Sequence, residues 1–176
     1  MSEDKYDLTL FIRNSFNETI DYLKKNNIII EGRLSLRVVG SLEEFQQIYK
    51  TNDKFKFARY DSGKREIQII KNGLKEIING NINDPNKIFI DNLFTIKHNG
   101  ILWPVYKNDN DIEKIIAKAY TDSVITHEIG HAVLRSIGIN NEWKASVFEF
   151  LVYFYKNELY KYPEVYKIME KKYKKM

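Results

Sequence analysis

Along this 176-residue chain the hydrophobic period changes for good at one place, and that change decides what the chain can fold into. After an opening helical stretch, the apolar residues up to Tyr106 fall mostly in short alternating runs separated by turn residues; from Asp111 they recur at helical spacing nearly to the end. A sheet-containing part with helices, about 1–110, should therefore precede a helical part, about 111–176. The class expected is α+β, with a mixed β-sheet, in one domain spanning 1–176.

Local signals fill in this plan. Leu8, Phe11, Ile12, Phe16, Ile20 and Leu23 lie at helical spacing, which predicts a first helix over residues 4–26. "IIIEGRLSLRVVG" reads as a strand. Ser41 with Glu44 three residues on is a capping-box signature for a short second helix. "KFKFARYDSGKREIQIIK" alternates on both sides of Asp61-Ser62-Gly63 and reads as a β-hairpin, followed by a short helix in "NGLKEIING". A second hairpin is expected around Asn99-Gly100, and Pro104 confines its return strand "ILWPVY" to a sheet edge, because proline has no N–H to donate to a central ladder. His98, beside that turn, reads as a surface residue.

Composition narrows the chemistry. No cysteine occurs, so thiol catalysis, disulfides and thiolate metal sites are excluded, and a metal must be held by His, Asp or Glu. The N-terminus has no basic stretch leading into an apolar one, and no apolar run reaches the length a bilayer crossing needs; a cytoplasmic protein without a membrane partner is the expectation. Residues 156–176 hold seven Lys against three Glu, which equals the whole net charge of +4. With Tyr155 just before them and Tyr160, Tyr162, Tyr166 and Tyr173 interleaved, this end could meet nucleic acid or an acidic partner. The simpler reading, which is adopted, is a half-buried helix with a solvated lysine face and no nucleic-acid partner.

Two of the three histidines stand four positions apart in "SVITHEIGHAVLRSIG". On a helix, His127 and His131 project from one face a turn apart, so both imidazoles can reach one zinc ion at about 2.0 to 2.1 Å. Glu128, turned about 100° from His127, borders the open side of such an ion and is the candidate general base. Ile112, Ile115, Ile116, Ala119, Val124, Ile125, Ile129, Val133, Leu134 and Ile137 support a helix there, with Gly138 placed to end it. Asp122 or Ser123 could start it, which would make "DIEKIIAKAY" a separate or kinked segment.

A third ligand should come from the next helix, which begins near Glu142. If the two helices form an antiparallel hairpin, equal rise per residue brings a position near 148 or 149 level with the metal, and Glu149 is there. Its neighbours Val147, Phe148, Phe150, Leu151 and Val152 make an unpaired carboxylate costly at that position. Glu142, about 10 Å further along at 1.5 Å per residue, is the fallback ligand or a residue of the rim.

His127, Glu128 and His131 form H-E-x-x-H, the signature of zinc metallopeptidases. With seventeen residues between His131 and Glu149, the arrangement resembles the gluzincin metallopeptidases. One departure is Tyr153, at the place a turn after the ligand where gluzincins often carry an acidic residue. The resemblance implies a zincin-like fold with an active-site helix, zinc as cofactor, and a peptide or protein as substrate. It also implies a substrate-binding edge strand, for which "ILWPVY" is the candidate. The activity expected is hydrolysis of peptide bonds by zinc-activated water with Glu128 as base. The competing reading is a catalytically inert or regulatory scaffold of the same fold that makes its contacts through the basic, Tyr-rich C-terminus.

Overall fold

The computed structural model describes residues 6–84, 89–90, 92–98 and 101–165. Among these the chain is a mixed α+β structure with two small sheets. Helix α1 (Leu8–Lys25) is capped by Asp7, whose carboxylate accepts from the Leu10 amide at 3.1 Å. Strand β1 (Ser35–Val39) leads into α2 (Leu42–Tyr49). There the Ser41 hydroxyl accepts from the Glu44 amide at 3.1 Å, while Glu44 reaches back to the Gly40 amide at 2.8 Å, one residue beyond the usual capping-box partner. Strands β2 (Ala58–Asp61) and β3 (Glu66–Ile70) form the first expected hairpin, and α3 (Lys71–Ile82) follows directly.

The expected single mixed sheet is in fact two. β1 runs parallel to β3 and β2 antiparallel to it, in the order β1-β3-β2. The second sheet is antiparallel, β4 (Phe89–Ile90), β5 (Leu93–His98) and β6 (Ile101–Tyr106), with β6 at its edge as Pro104 requires. The Asn99-Gly100 turn itself lies outside the described residues, as do Tyr166 and Tyr173.

The helical part is organised around α4 (Ile112–Ser136), one continuous helix capped by Asp111. Neither Asp122 nor Ser123 starts a helix; both are buried in its middle. From Ile115 to Ala132 almost every residue is buried, because α1, α3, α5 and strands β2, β5 and β6 all pack on it. The helix ends in a Schellman motif: the Ile139 amide donates to the Leu134 carbonyl at 2.9 Å and the Gly138 amide to Arg135 at 3.0 Å, with Gly138 at φ 79°. Helix α5 (Glu142–Lys156), capped by Asn141, folds back along α4. A short 3₁₀ turn, Leu159–Lys161, follows it.

One apolar cluster joins these elements. Ile12 of α1, Ile67 of β3, Ile78 of α3, Phe94 of β5, Trp103 of β6 and Ile129 of α4 are all within it and fully enclosed. At roughly 1.5 to 3 kcal/mol for each such side chain, this packing rather than helix propensity holds α4 in place. None of the described helices is long and apolar enough to cross a membrane.

Candidate metal centre

The polar residues of α4 that sequence alone singles out are indeed buried. His127 is 4 %, Glu128 8 % and His131 9 % exposed. A polar run buried this deeply needs partners. The two Nε2 atoms find theirs in Glu142, the first residue of α5, whose carboxylate oxygens stand 3.0 Å from His127 Nε2 and 3.0 Å from His131 Nε2. One donor atom from each of the three residues lies within 4.8 Å of the others. Two imidazoles and a carboxylate are the kind of donors zinc takes, and grouped this closely they could hold one ion.

Glu149 takes another place. It is fully buried in the middle of α5, and its Oε2 lies 3.0 Å from Nδ1 of His127, the nitrogen on the opposite side of the ring from Glu142. Its Oε1 lies 2.6 Å from Nδ1 of His98. Equal rise per residue does bring Glu149 level with His127, which it meets. Rise fixes backbone positions only. An imidazole offers two nitrogens facing different ways, and the carboxylate level with the ring meets the inner one, whereas the outer one is met from the first turn of α5. Geometry therefore puts Glu142, the fallback, with the two Nε2 atoms and removes Glu149 from that group.

His98 is the residue that sequence reading missed. It is 4 % exposed, not on the surface. Its ring also makes edge-to-face contacts with Tyr120, at 5.2 Å between centroids, and with His127, at 5.9 Å. The available signal was the strand period: Phe94, Ile96 and His98 alternate onto one face of β5, and the first two are core residues.

Charge in this pocket is dense. Burial alone would lower the pKa of His127, but the hydrogen bond and charge of Glu149, helped by Glu128 and Glu142, raise it to about 9. Burial holds His131 below the ordinary histidine range despite Glu142. Glu128 is pushed up to about 7, first by burial and then by the neighbouring carboxylates, against the pull of His127 and of a hydrogen bond with the Tyr60 backbone. That contact brings β2, an edge strand of the first sheet, against Glu128. The expected edge strand β6 is engaged elsewhere: the Tyr153 hydroxyl of α5 donates to its Pro104 carbonyl at 3.3 Å.

In comparisons with protein-family models, with curated proteins and with solved structures, nothing matches the chain.

Proposed function

We propose that this protein is a zinc-dependent peptidase with a zincin-like fold, its ligands two histidines and a glutamate, His127, His131 and Glu142, with ten residues between His131 and the glutamate and so not the spacing that gave the gluzincin likeness. The observation that carries the reading is the convergence of those three side chains on one point beside a buried glutamate, Glu128, that ligates nothing. Zinc, when bound, supplies a Lewis acid that acidifies water and polarises a scissile carbonyl.

The chain's own residues do the rest. Glu128, buried beside the donor cluster, accepts a proton from the attacking water and delivers it to the leaving amine. Strand β2, with one edge paired to β3 and its Tyr60 backbone beside Glu128, offers main-chain groups along which an extended peptide can lie. An edge strand running past the base, above a long H-E-x-x-H helix, is also what supports the zincin-like part of the reading.

The test is metal analysis of the purified protein together with hydrolysis of peptide and protein substrates, with and without a chelator. Glu128→Gln should keep its zinc and lose hydrolysis by at least about a hundredfold, the scale of a lost general base. Hydrolysis that survives the substitution removes Glu128 from the role. Zinc bound without hydrolysis of any substrate moves the protein to the scaffold reading.

A further inference from the structure

We propose that His98 is a positioning residue of the metal centre: through Glu149 it holds the His127 imidazole in the tautomer that leaves Nε2 free for metal. The inference rests on the zinc reading above, and it assigns a task to a residue from the second sheet that is not itself in the proposed ligand set.

Three elements meet in a line. His98 ends β5, Glu149 lies in the middle of α5 and His127 on α4. Nδ1–H of His98 donates to Oε1 of Glu149 at 2.6 Å, and Nδ1–H of His127 donates to Oε2 at 3.0 Å. All three are buried, Glu149 completely, so water does not compete for these bonds. A glutamate held by one oxygen can still turn about its terminal torsion, which is broad. Held by both, its plane is set.

His98 is itself anchored. Its carbonyl accepts from the indole N–H of the fully buried Trp103 at 3.3 Å, and the neighbouring Lys97 amide donates to Asn81 at 2.9 Å. Constraint therefore runs from the sheet to Glu149 and from Glu149 to His127.

The consequence is a choice of tautomer. A neutral imidazole carries one proton, and only the form with that proton on Nδ1 has a lone pair on Nε2. Nε2 is the atom that faces Glu142 and shares its surroundings with His131. Glu142 faces Nε2 at the same 3.0 Å that separates Glu149 from Nδ1, so the metal-free ring can give a proton to each. When a metal takes the place of the Nε2 proton, the Nδ1–H that remains is the one Glu149 holds, provided Glu149 is turned to meet it. Partners of this kind around ligating histidines govern metal affinity by about 10- to 100-fold. A buried carboxylate–histidine pair is in any case a poor way to gain stability, since a well-packed apolar pair of similar size does as well.

The test compares His98→Asn, His98→Gln and His98→Leu by zinc titration against a chromophoric chelator, with thermal unfolding of the zinc-free proteins alongside. The asparagine amide nitrogen stands where Nδ1 stands in histidine, whereas glutamine carries its nitrogen near the Nε2 position. Asn should keep zinc affinity within about threefold of the native protein, and Gln and Leu should lose about 10- to 100-fold. If Leu does not fold, the contrast between Asn and Gln decides. Native-like affinity in the Gln and Leu proteins overturns the proposal, and so does an equal loss in the Asn and Gln proteins, which marks a packing role. A native protein that binds no zinc refutes the zinc reading itself, a different result from zinc bound indifferently to residue 98.

Discussion

Glu142 and Glu149 lie seven positions apart on one face of α5, and the two nitrogens of His127 sort them into different tasks. On the proposed zinc reading, removing the first removes a ligand, and removing the second loosens a ligand that remains. Glu142→Ala should therefore weaken zinc binding by more than the roughly 10- to 100-fold expected for Glu149→Gln. Competition titration of both variants checks the order, and a reversed order restores Glu149 to the ligand set. The sequence shows His127, Glu128 and His131 plainly, because i and i+4 on a helix share a face whatever surrounds it. It also shows that a carboxylate at position 149 must have a partner, given its apolar neighbours. What it does not show is which ring nitrogen that partner presents, since that depends on side-chain torsions set by packing. Tyr60 is hidden for a stronger reason: it acts through its backbone, which carries no signature of residue type.

At the scale of elements, the glycine inside "HEIGH" sets the approach of α5 to α4. A Cβ at Gly130 would lie 2.8 Å from the ring of Phe148 and 3.4 Å from the Ala145 carbonyl, so the bare backbone is what lets the two helices touch beside His127, His131 and Glu142. Gly80 in α3 is the contrast, exposed and with nothing within 4 Å of the same added atom. Gly80→Ala should gain up to about 1 kcal/mol from helix propensity alone. Gly130→Val should instead lose about 1 to 3 kcal/mol through overpacking and weaken zinc binding as well, because Glu142 rides on the displaced helix. Urea denaturation of the two variants and zinc titration of the second check this; a neutral Gly130→Val would show the helices to be loosely apposed. Single elements were readable where the signal is local. The Ser41 cap, the hairpin around residues 62–65 and the Gly138 stop all follow from residue chemistry at fixed offsets. The start of α4 was not, because Asp122 and Ser123 look like caps and only tertiary burial gives them other work.

For the whole molecule, Asp122 is the residue that ties the helices together. Its carboxylate accepts from Ser15 of α1 at 2.7 Å and from Asn157, just past α5, at 3.1 Å, and it pairs with Lys156 of α5. Lys156 also donates to Thr19 of α1 at 2.8 Å, closing a polar network among three helices that also share the apolar core. Contacts spanning more than a hundred residues of chain, like the division of strands between two sheets, are set by which surfaces meet and leave no local trace in sequence. The side chains of Lys156 and Asp122 are 10 % and 11 % exposed, so solvent can replace little of what either loses. Lys156→Met should then cost about 3 to 5 kcal/mol, as for other buried pairs broken from one side, because Asp122 keeps its charge without a counter-charge. Changing both, Asp122→Leu with Lys156→Met, removes the charge together with its partner and should cost less than the single change, although Ser15, Thr19 and Asn157 then lose hydrogen bonds. Urea unfolding of the single and double variants measures the difference. If the double variant is the less stable of the two, the network acts as a set of independent hydrogen bonds, and the ion pair is not what joins α1 to α4 and α5.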